Sequence, residues 1–274
     1  MTTGTAGRFR PGNAIDPRDI DLTGVQNDFE RQLSAILSEW SGITRSQISE
    51  IVAKVENAID KKDLDRLAKL SVSTADAEAA LLDSMTSMAL TAAQRVVDEV
   101  AHQGRNIDPV ASDTKPFSMI ASATAALLAG ALVNAAGREA LRRWTPEASG
   151  RDVAMGVGDH LGSLSDSFLR DALGGTLSHA ETTGRMNTML SAPSAAIYAS
   201  EMLDSATCGP CREINGKWIT NSDDPDAQAK MSAIYPRGYV NCDGRDRCRG
   251  QLVMITREAG QTFVGSEVTG GLDE

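Results

Sequence analysis

Aromatic residues are scarce in this chain of 274 residues, at 4% against 41% hydrophobic residues overall. A core with so few aromatic rings rests on Ala, Leu, Val, Ile and Met, which favours close-packed helices over a β-sandwich. Basic residues are also outnumbered, by 37 acidic to 27, and the formal net charge is −10. This balance argues against a protein whose main task is to coat nucleic acid or an anionic membrane.

No apolar segment of the kind found in secretion signals stands in residues 1–12, which contain Thr, Gly and Arg instead. We therefore expect a cytosolic compartment, in which clustered cysteines are more often metal ligands than disulfides. Charge is absent from Phe117 to Ala136, a stretch long enough to span a membrane. Because most of that stretch is Ala, Gly, Ser, Thr or Asn, we expect a central buried helix or an oligomer contact, with no membrane association.

The spacing of apolar residues divides the chain into segments. Residues 1–22 have little apolar pattern and are expected to form a flexible N-terminal arm. Helical spacing then predicts an Ala-rich helical body over residues 23–192. Beyond it, short runs separated by turn residues predict a small α+β module over 193–257, followed by a tail over 258–274. The expected fold class is mainly α, with the helical body followed by a module stapled by four cysteines.

Capping residues predict where several elements begin and end. Ser41–Gly42 predicts the end of a first helix, and Ser73 or Thr74 is expected to cap a long helix that Gly104 ends. A Thr, Pro and acidic residue in Thr145–Glu147 predict the start of another helix. Three short strands are expected in the module, at Ala195–Met202, Gly216–Thr220 and Arg249–Ile255.

Cysteine is absent outside one short span, which contains Cys208, Cys211, Cys242 and Cys248. A CxxC turn lets two thiolates approach one metal ion, and a second pair on a later loop completes a tetrahedral set of four sulfurs. Zinc is the default metal for four thiolates, with iron or a cluster as alternatives. The longer spacing of the second pair also leaves open disulfides, unliganded thiols and redox chemistry at the CxxC. We predict a structural zinc site, because a module with few apolar residues usually needs a staple.

Arginines surround the second cysteine pair, at Arg237, Arg245, Arg247 and Arg249. Such a basic cluster is able to contact phosphate, including that of DNA. We favour a second interpretation, in which the arginines offset the negative charge of a zinc ion with four thiolates or bind carboxylates of a partner.

An enzymatic alternative comes from His179 and Glu181, followed by Cys208 and Cys211. These residues match the H-x-E and C-x-x-C halves of the zinc deaminase signature, in which His and two Cys hold zinc and Glu moves protons. Against this interpretation, Thr207 stands where the signature has proline, and the chain before His179 has the pattern of helices rather than of the deaminase sheet. The second cysteine pair would also have no role. We therefore expect no enzyme activity and keep a deaminase as the alternative.

The residues around the cysteines resemble the C-terminal signature of phage minor head proteins, the Mu F-like head morphogenesis family. The resemblance covers about residues 176–256, and its clearest segments are Asp204–Cys211 (DSATCGPC), Asn215–Trp218 (NGKW), Tyr235–Cys242 (YPRGYVNC) and Arg247–Arg249 (RCR), preceded by His179–Asn187 (HAETTGRMN). The better-known branch of the family has a His–Cys–x–Cys-like knuckle. Because Tyr239–Cys242 and Cys248 replace that knuckle in this chain, an all-cysteine site is expected.

The resemblance implies a non-enzymatic, low-copy virion protein bound to the portal inside the head, where it assists assembly, DNA packaging or ejection. The implied partners are the portal protein and other head proteins. Contact with packaged DNA and oligomerisation in the virion are compatible with this role. The implied location is the capsid interior, with the host cytoplasm during assembly.

Overall fold

The computed structural model describes residues 15–163, 166–244 and 248–256. The described residues are 66% helical, with eight helices, a small antiparallel sheet near the end of the described chain and four clustered cysteines. The predicted fold class is therefore confirmed.

The described chain contains eight α-helices and three β-strands, after a 3₁₀ turn at Pro17–Asp19. The helices are α1 (Thr23–Asp60), α2 (Leu64–Ala68), α3 (Ala75–His102), α4 (Thr114–Arg143), α5 (Gly150–Gly162), α6 (Asp166–Ser191), α7 (Gly209–Ile214) and α8 (Ala227–Ile234). The strands are β1 (Ala195–Ser200), β2 (Trp218–Asn221) and β3 (Gln251–Thr256). β1 lies in the middle of the sheet and pairs antiparallel with both other strands.

Helix α1 does not end at Ser41–Gly42, and the prediction of a break there is wrong. The helix continues to Asp60, and Arg45 Nε donates a hydrogen bond to Ser41 O at 3.1 Å. Gly42 is exposed, and no atom lies within 4 Å of the position that a Cβ would take there. An exposed glycine costs a helix about 1 kcal/mol, which the apolar stripes on both sides of it outweigh.

Side-chain caps mark the starts of two other helices. Ser73 Oγ accepts a hydrogen bond from the N–H of Ala75, the first residue of α3, as predicted. The start predicted at Thr145–Glu147 is wrong, because α5 begins at Gly150. There the Ser149 hydroxyl accepts from the N–H of Asp152 at 3.2 Å and satisfies a donor of the first turn.

Two compact units make up the chain. One comprises the described parts of residues 1–30, 86–112 and 177–274, and the other comprises 31–85 and the described parts of 113–176. The sheet and the four cysteines therefore share a unit with helical segments that precede them in the chain.

In the unit with the cysteines, the central strand β1 is buried on both faces. Alternation along the strand places Ile197 and Ala199 on one face, in a core cluster with Val100 of α3 and Met189 of α6. Tyr198, on the other face, packs in a separate cluster with residues that include Leu22, Val25 and Val253. The few apolar residues beyond Pro193 thus form a core with the help of the helices.

Polar side chains also join the helices of this unit to the edge strand β3. Arg185 of α6, which is 1% exposed, donates to Leu252 O and forms an ion pair with Glu99 at 2.7 Å. Gln103 Nε2 donates to Met254 O at 2.8 Å. These donors satisfy carbonyls of β3, beside which the described residues place no further strand.

In the other unit, α4 is long and apolar enough to cross a membrane by length and composition, but those two properties are shared by core helices of soluble proteins. Only 28% of its most apolar window is buried. Phe117 and Ala121 lie on the buried stripe, whereas Met119 and Leu127 are 72% and 60% exposed. Within the described chain, α4 is therefore not a central buried helix, and the alternative that its composition allows, an oligomer contact, stays a prediction.

Candidate metal centre

All four cysteines line one pocket of the described chain. Cys208 is the N-cap residue of α7, and Cys211 lies in the first turn of that helix. Cys242 and Cys248 lie between α8 and β3. Glu201, which directly follows β1, lines the same pocket. The two cysteine pairs, separated in the chain, thus meet in space as the sequence predicts.

Two of the distances between the sulfurs match those of a tetrahedral metal site. Cys208 Sγ lies 3.8 Å from Cys242 Sγ, and Cys211 Sγ lies 3.9 Å from Cys248 Sγ. With metal–sulfur bonds of about 2.3 Å, tetrahedral geometry places two sulfurs about 3.8 Å apart. A disulfide would require about 2.05 Å, and all four cysteines are unbridged. The cluster therefore fits a metal ion.

Five potential ligands form two overlapping groups. The ligand atoms of Cys208, Cys211 and Cys242 lie within 4.8 Å of one another, and so do those of Glu201, Cys211 and Cys248. Glu201 is a candidate ligand that sequence reasoning missed. No metal-ligand spacing marks it, because it stands at the end of a segment with the pattern of a buried strand.

Backbone N–H groups point at the sulfurs. The N–H of Gly244 donates to Cys242 Sγ, and that of Tyr239 donates to Cys248 Sγ, each at 3.3 Å. Gly238, with φ of +102°, leads into the second of these contacts, and a Cβ on it would lie 2.7 Å from the Cβ of Cys248. Donors of this kind disperse the charge of a thiolate and orient it for a metal.

The thiol pKa values reflect this mixture of burial and backbone donors. Burial raises the pKa of Cys208, but hydrogen bonds from the N–H groups of Cys211 and Asp243 outweigh it, so that the net shift is downward. Burial raises the pKa of Cys211 far above its usual value, and burial together with the nearby charge of Glu201 raises that of Cys248 to about 12. A metal ion held by Cys211 and Cys248 would therefore have to displace the protons of these thiols.

Glu201 is a buried carboxylate with defined partners. Tyr235 donates its hydroxyl hydrogen to Glu201 Oε1 at 2.7 Å, and the N–H of Glu201 donates to Asn215 Oδ1 at 2.9 Å. A Cβ at Gly250 would collide with the carboxylate. Burial raises the pKa of Glu201, and hydrogen bonds from Tyr235 and Cys211 oppose that effect.

The predicted arginine cluster is only partly described. Arg249 forms an ion pair with Asp204 at 2.6 Å, so its guanidinium is engaged within the module. Arg237 is exposed, and its carbonyl oxygen accepts a hydrogen bond from Ser178 Oγ at 2.8 Å. Arg245 and Arg247 lie outside the described residues.

The residues of the deaminase alternative lie elsewhere. His179 Nδ1 is 3.4 Å from Pro236 O, and Glu181 is buried with its Oε2 accepting from Gln251 Nε2 at 2.9 Å. Among the described residues, the groups able to hold a metal contain neither of them. The structure thus does not bring His179 and Glu181 together with the CxxC pair.

Comparison with known proteins gives no relative. No family model matches the chain, and no match is found among curated proteins or solved structures. The resemblance to phage minor head proteins therefore stays a prediction from the quoted residues of the cysteine module.

Proposed function

We propose that this chain is a non-enzymatic minor head protein of a tailed phage, a low-copy virion component associated with the portal inside the head. In this proposal, a structural zinc ion holds its C-terminal module. The observation that carries the proposal is the convergence of two separate segments of the family-like pattern, Asp204–Cys211 and Tyr235–Cys242. The first segment supplies the cysteines Cys208 and Cys211 to the pocket, and the second supplies Cys242 to the same pocket.

The donor set supports zinc in a structural role. Four thiolates select zinc, iron or a cluster over the hard cations, and zinc is the commonest occupant of such sites. Catalytic zinc sites keep an open position for water beside three protein ligands, whereas structural sites use four. Cys208, Cys211, Cys242 and Cys248 supply four, and Glu201 adds a fifth donor. A metal bound there contributes its binding free energy to folding.

The charge of the chain supports a protein partner. A net charge of −10 disfavours capture of the whole chain by packaged DNA. In the described part of the arginine cluster, Arg249 is paired with Asp204. The portal and other head proteins are therefore the partners that we propose, with DNA contact limited to the remaining arginines of the module.

Metal content tests the proposed zinc site. The full chain purified without chelator should contain about one zinc per molecule by elemental analysis, as a closed four-ligand site requires. Cys211→Ala, which removes the sulfur common to both ligand groups, should lose the metal, while Asn241→Ala in the loop beside Cys242 should keep it. A metal-free chain with two disulfides by mass spectrometry would contradict the proposal.

Co-sedimentation tests the proposed partner. The full chain, mixed with assembled rings of the portal protein of the same phage, should pellet with the rings at a saturable, low ratio. The zinc-free Cys211→Ala chain should pellet less, because the C-terminal module is no longer stabilised by the metal. A zinc-loaded chain that stays in the supernatant at every portal concentration would overturn the portal association and leave the metal site untouched.

A further inference from the structure

The pocket holds one more donor than a tetrahedral metal needs. Cys208, Cys211 and Cys242 form one group of ligand atoms within 4.8 Å, and Glu201, Cys211 and Cys248 form another. Zinc binds carboxylate oxygen, at about 2.0–2.2 Å, as well as thiolate sulfur, at about 2.3 Å. Five donors around the shared sulfur of Cys211 therefore allow more than one set of four.

The surroundings of Glu201 hold its carboxylate in place for such a role. The residue is 7% exposed, and the Tyr235 ring that donates to its Oε1 is 1% exposed. Its backbone N–H is anchored to Asn215 Oδ1, and Gly250 leaves the space that the carboxylate fills. A side chain that packing and hydrogen bonds already fix loses little conformational freedom on binding a metal.

Cys208 is the sulfur best placed to leave the set. Cys208 and Cys248 are half-buried, whereas Cys211 and Cys242 are 3% and 8% exposed. Of the two half-buried residues, Cys248 belongs to the group that contains Glu201. Cys208 lies outside that group, in the loop at the start of α7. The loop before it is held by side-chain contacts, including hydrogen bonds from Arg212 to the carbonyls of Thr207 and Asp204. A partner that binds this loop would displace Cys208 before it contacted the buried sulfur of Cys211.

We propose that Glu201 is an alternative ligand of the metal centre and takes a coordination position with Cys211 and Cys248 when Cys208 or Cys242 is not bound. The inference rests on the metal site proposed above. In the exchange a thiolate leaves and a carboxylate enters, so the metal keeps four donors and the charge of the ligand set is unchanged. The module thus retains its metal while the Cys208 loop moves.

A double-mutant cycle in the full chain tests this inference. Zinc affinity is measured by competition with a chromophoric chelator for the wild type, Cys208→Ala, Glu201→Gln and the double variant. Glu201→Gln should weaken binding less than about tenfold in the wild type, and by about 10- to 100-fold in the Cys208→Ala chain. With cobalt in place of zinc, Cys208→Ala should keep a tetrahedral spectrum that the double variant loses.

The same cycle is repeated with Cys242→Ala in place of Cys208→Ala, so that the test does not depend on the folding of one cysteine variant. Circular dichroism of each zinc-free chain checks its helix content. If Glu201→Gln weakens zinc binding by the same factor in every background, the carboxylate does not replace a cysteine as a ligand, and the inference is overturned. If the wild type binds zinc but Cys208→Ala and Cys242→Ala both lose it completely, the inference is also overturned. A wild-type chain that binds no zinc would overturn the proposed metal site as well.

Discussion

The guanidinium of Arg249 forms a two-point ion pair with the carboxylate of Asp204, with N–O distances of 2.6 and 2.7 Å. The pair joins the segment before β3 to the loop before α7, so it links the two parts of the chain that carry the cysteine pairs. The Arg249 hydrogen bonds hold the pKa of Asp204 well below its usual value. A residue predicted as a contact for phosphate or a partner is thus engaged inside the module.

Replacing Arg249 should consequently affect stability more than DNA binding. Because the two side chains are 30% and 43% exposed, we expect Arg249→Gln to lower the free energy of unfolding by up to about 1 kcal/mol. Retention of the Arg249→Gln chain on a DNA column should change little. The control is Arg237→Gln, which removes an exposed arginine of the same cluster and should reduce retention at least as much. A larger loss of DNA retention from Arg249→Gln than from Arg237→Gln would contradict this expectation.

Glu181 makes the stability of its unit depend on pH. Burial raises its pKa to about 7, an effect that Arg185 and Gln251 oppose and Asp28 increases. Between pH 4.5 and about 7 the folded chain holds a proton that the unfolded chain has released, so stability falls as the pH rises through this window. The full change is roughly 3 kcal/mol, since each pKa unit corresponds to about 1.4 kcal/mol.

Glu181→Gln should remove this dependence, because the amide cannot titrate. Chemical denaturation should show that the wild type is less stable at pH 7.5 than at pH 5. In the variant, the difference in free energy of unfolding between the two pH values should be smaller by the contribution of Glu181. The variant should be the more stable of the two chains at pH 7.5. An unchanged difference between the two pH values would mean that Glu181 is not the group responsible.

Removing the metal should destabilise one unit selectively. Metal binding to a site that does not exist in the unfolded chain adds directly to folding free energy. Chelation should therefore speed amide hydrogen exchange in α7 and in β1–β3, which share a unit with the cysteines, and leave α5 in the other unit unchanged. Equal acceleration in both units, or none in either, would contradict a local structural role.

Periodicity and composition predicted the helical fold because buried stripes determine where long helices form. The same patterns predicted the first and last residues of the helices less accurately. Gly42 predicted a helix end, yet one exposed glycine costs less than the packing of the residues on either side provides. Thr145–Glu147 has the residue types of a helix start, yet the cap that forms is the Ser149 hydroxyl. Which of two nearby capping sequences is used depends on tertiary packing, which local sequence does not contain.

The site was predicted as far as its chemistry follows from spacing. Four cysteines in one span predicted a shared pocket, and the structure places all four there. Glu201 could not be found in this way, because its approach to Cys211 depends on how β1 ends beside α7. The pairing of Arg249 with Asp204 was equally hidden, since their proximity arises only after the two loops have met. Contacts between distant segments are set by the fold.

A final test concerns the close approach of two helices in the unit with the cysteines. A Cβ on Gly184 of α6 would collide with the backbone of Ala89 in α3. Backbone cannot move aside as a flexible side chain does, so Gly184→Ala should lower the free energy of unfolding by about 1–3 kcal/mol or more. Arg185, the next residue, bonds to Glu99 and Leu252 O, so the displacement should also weaken these buried contacts.

Gly42→Ala is the matched control, because it makes the same chemical change in a helix where no atom lies within 4 Å of the new methyl group. It should raise the free energy of unfolding by about 0.5–1 kcal/mol through helix propensity alone. Denaturant titration of both variants measures the two values under one set of conditions. Opposite signs would establish that contact with α3, rather than the loss of glycine, decides the outcome at Gly184. A stabilising Gly184→Ala would show that the helices are farther apart than the structure places them.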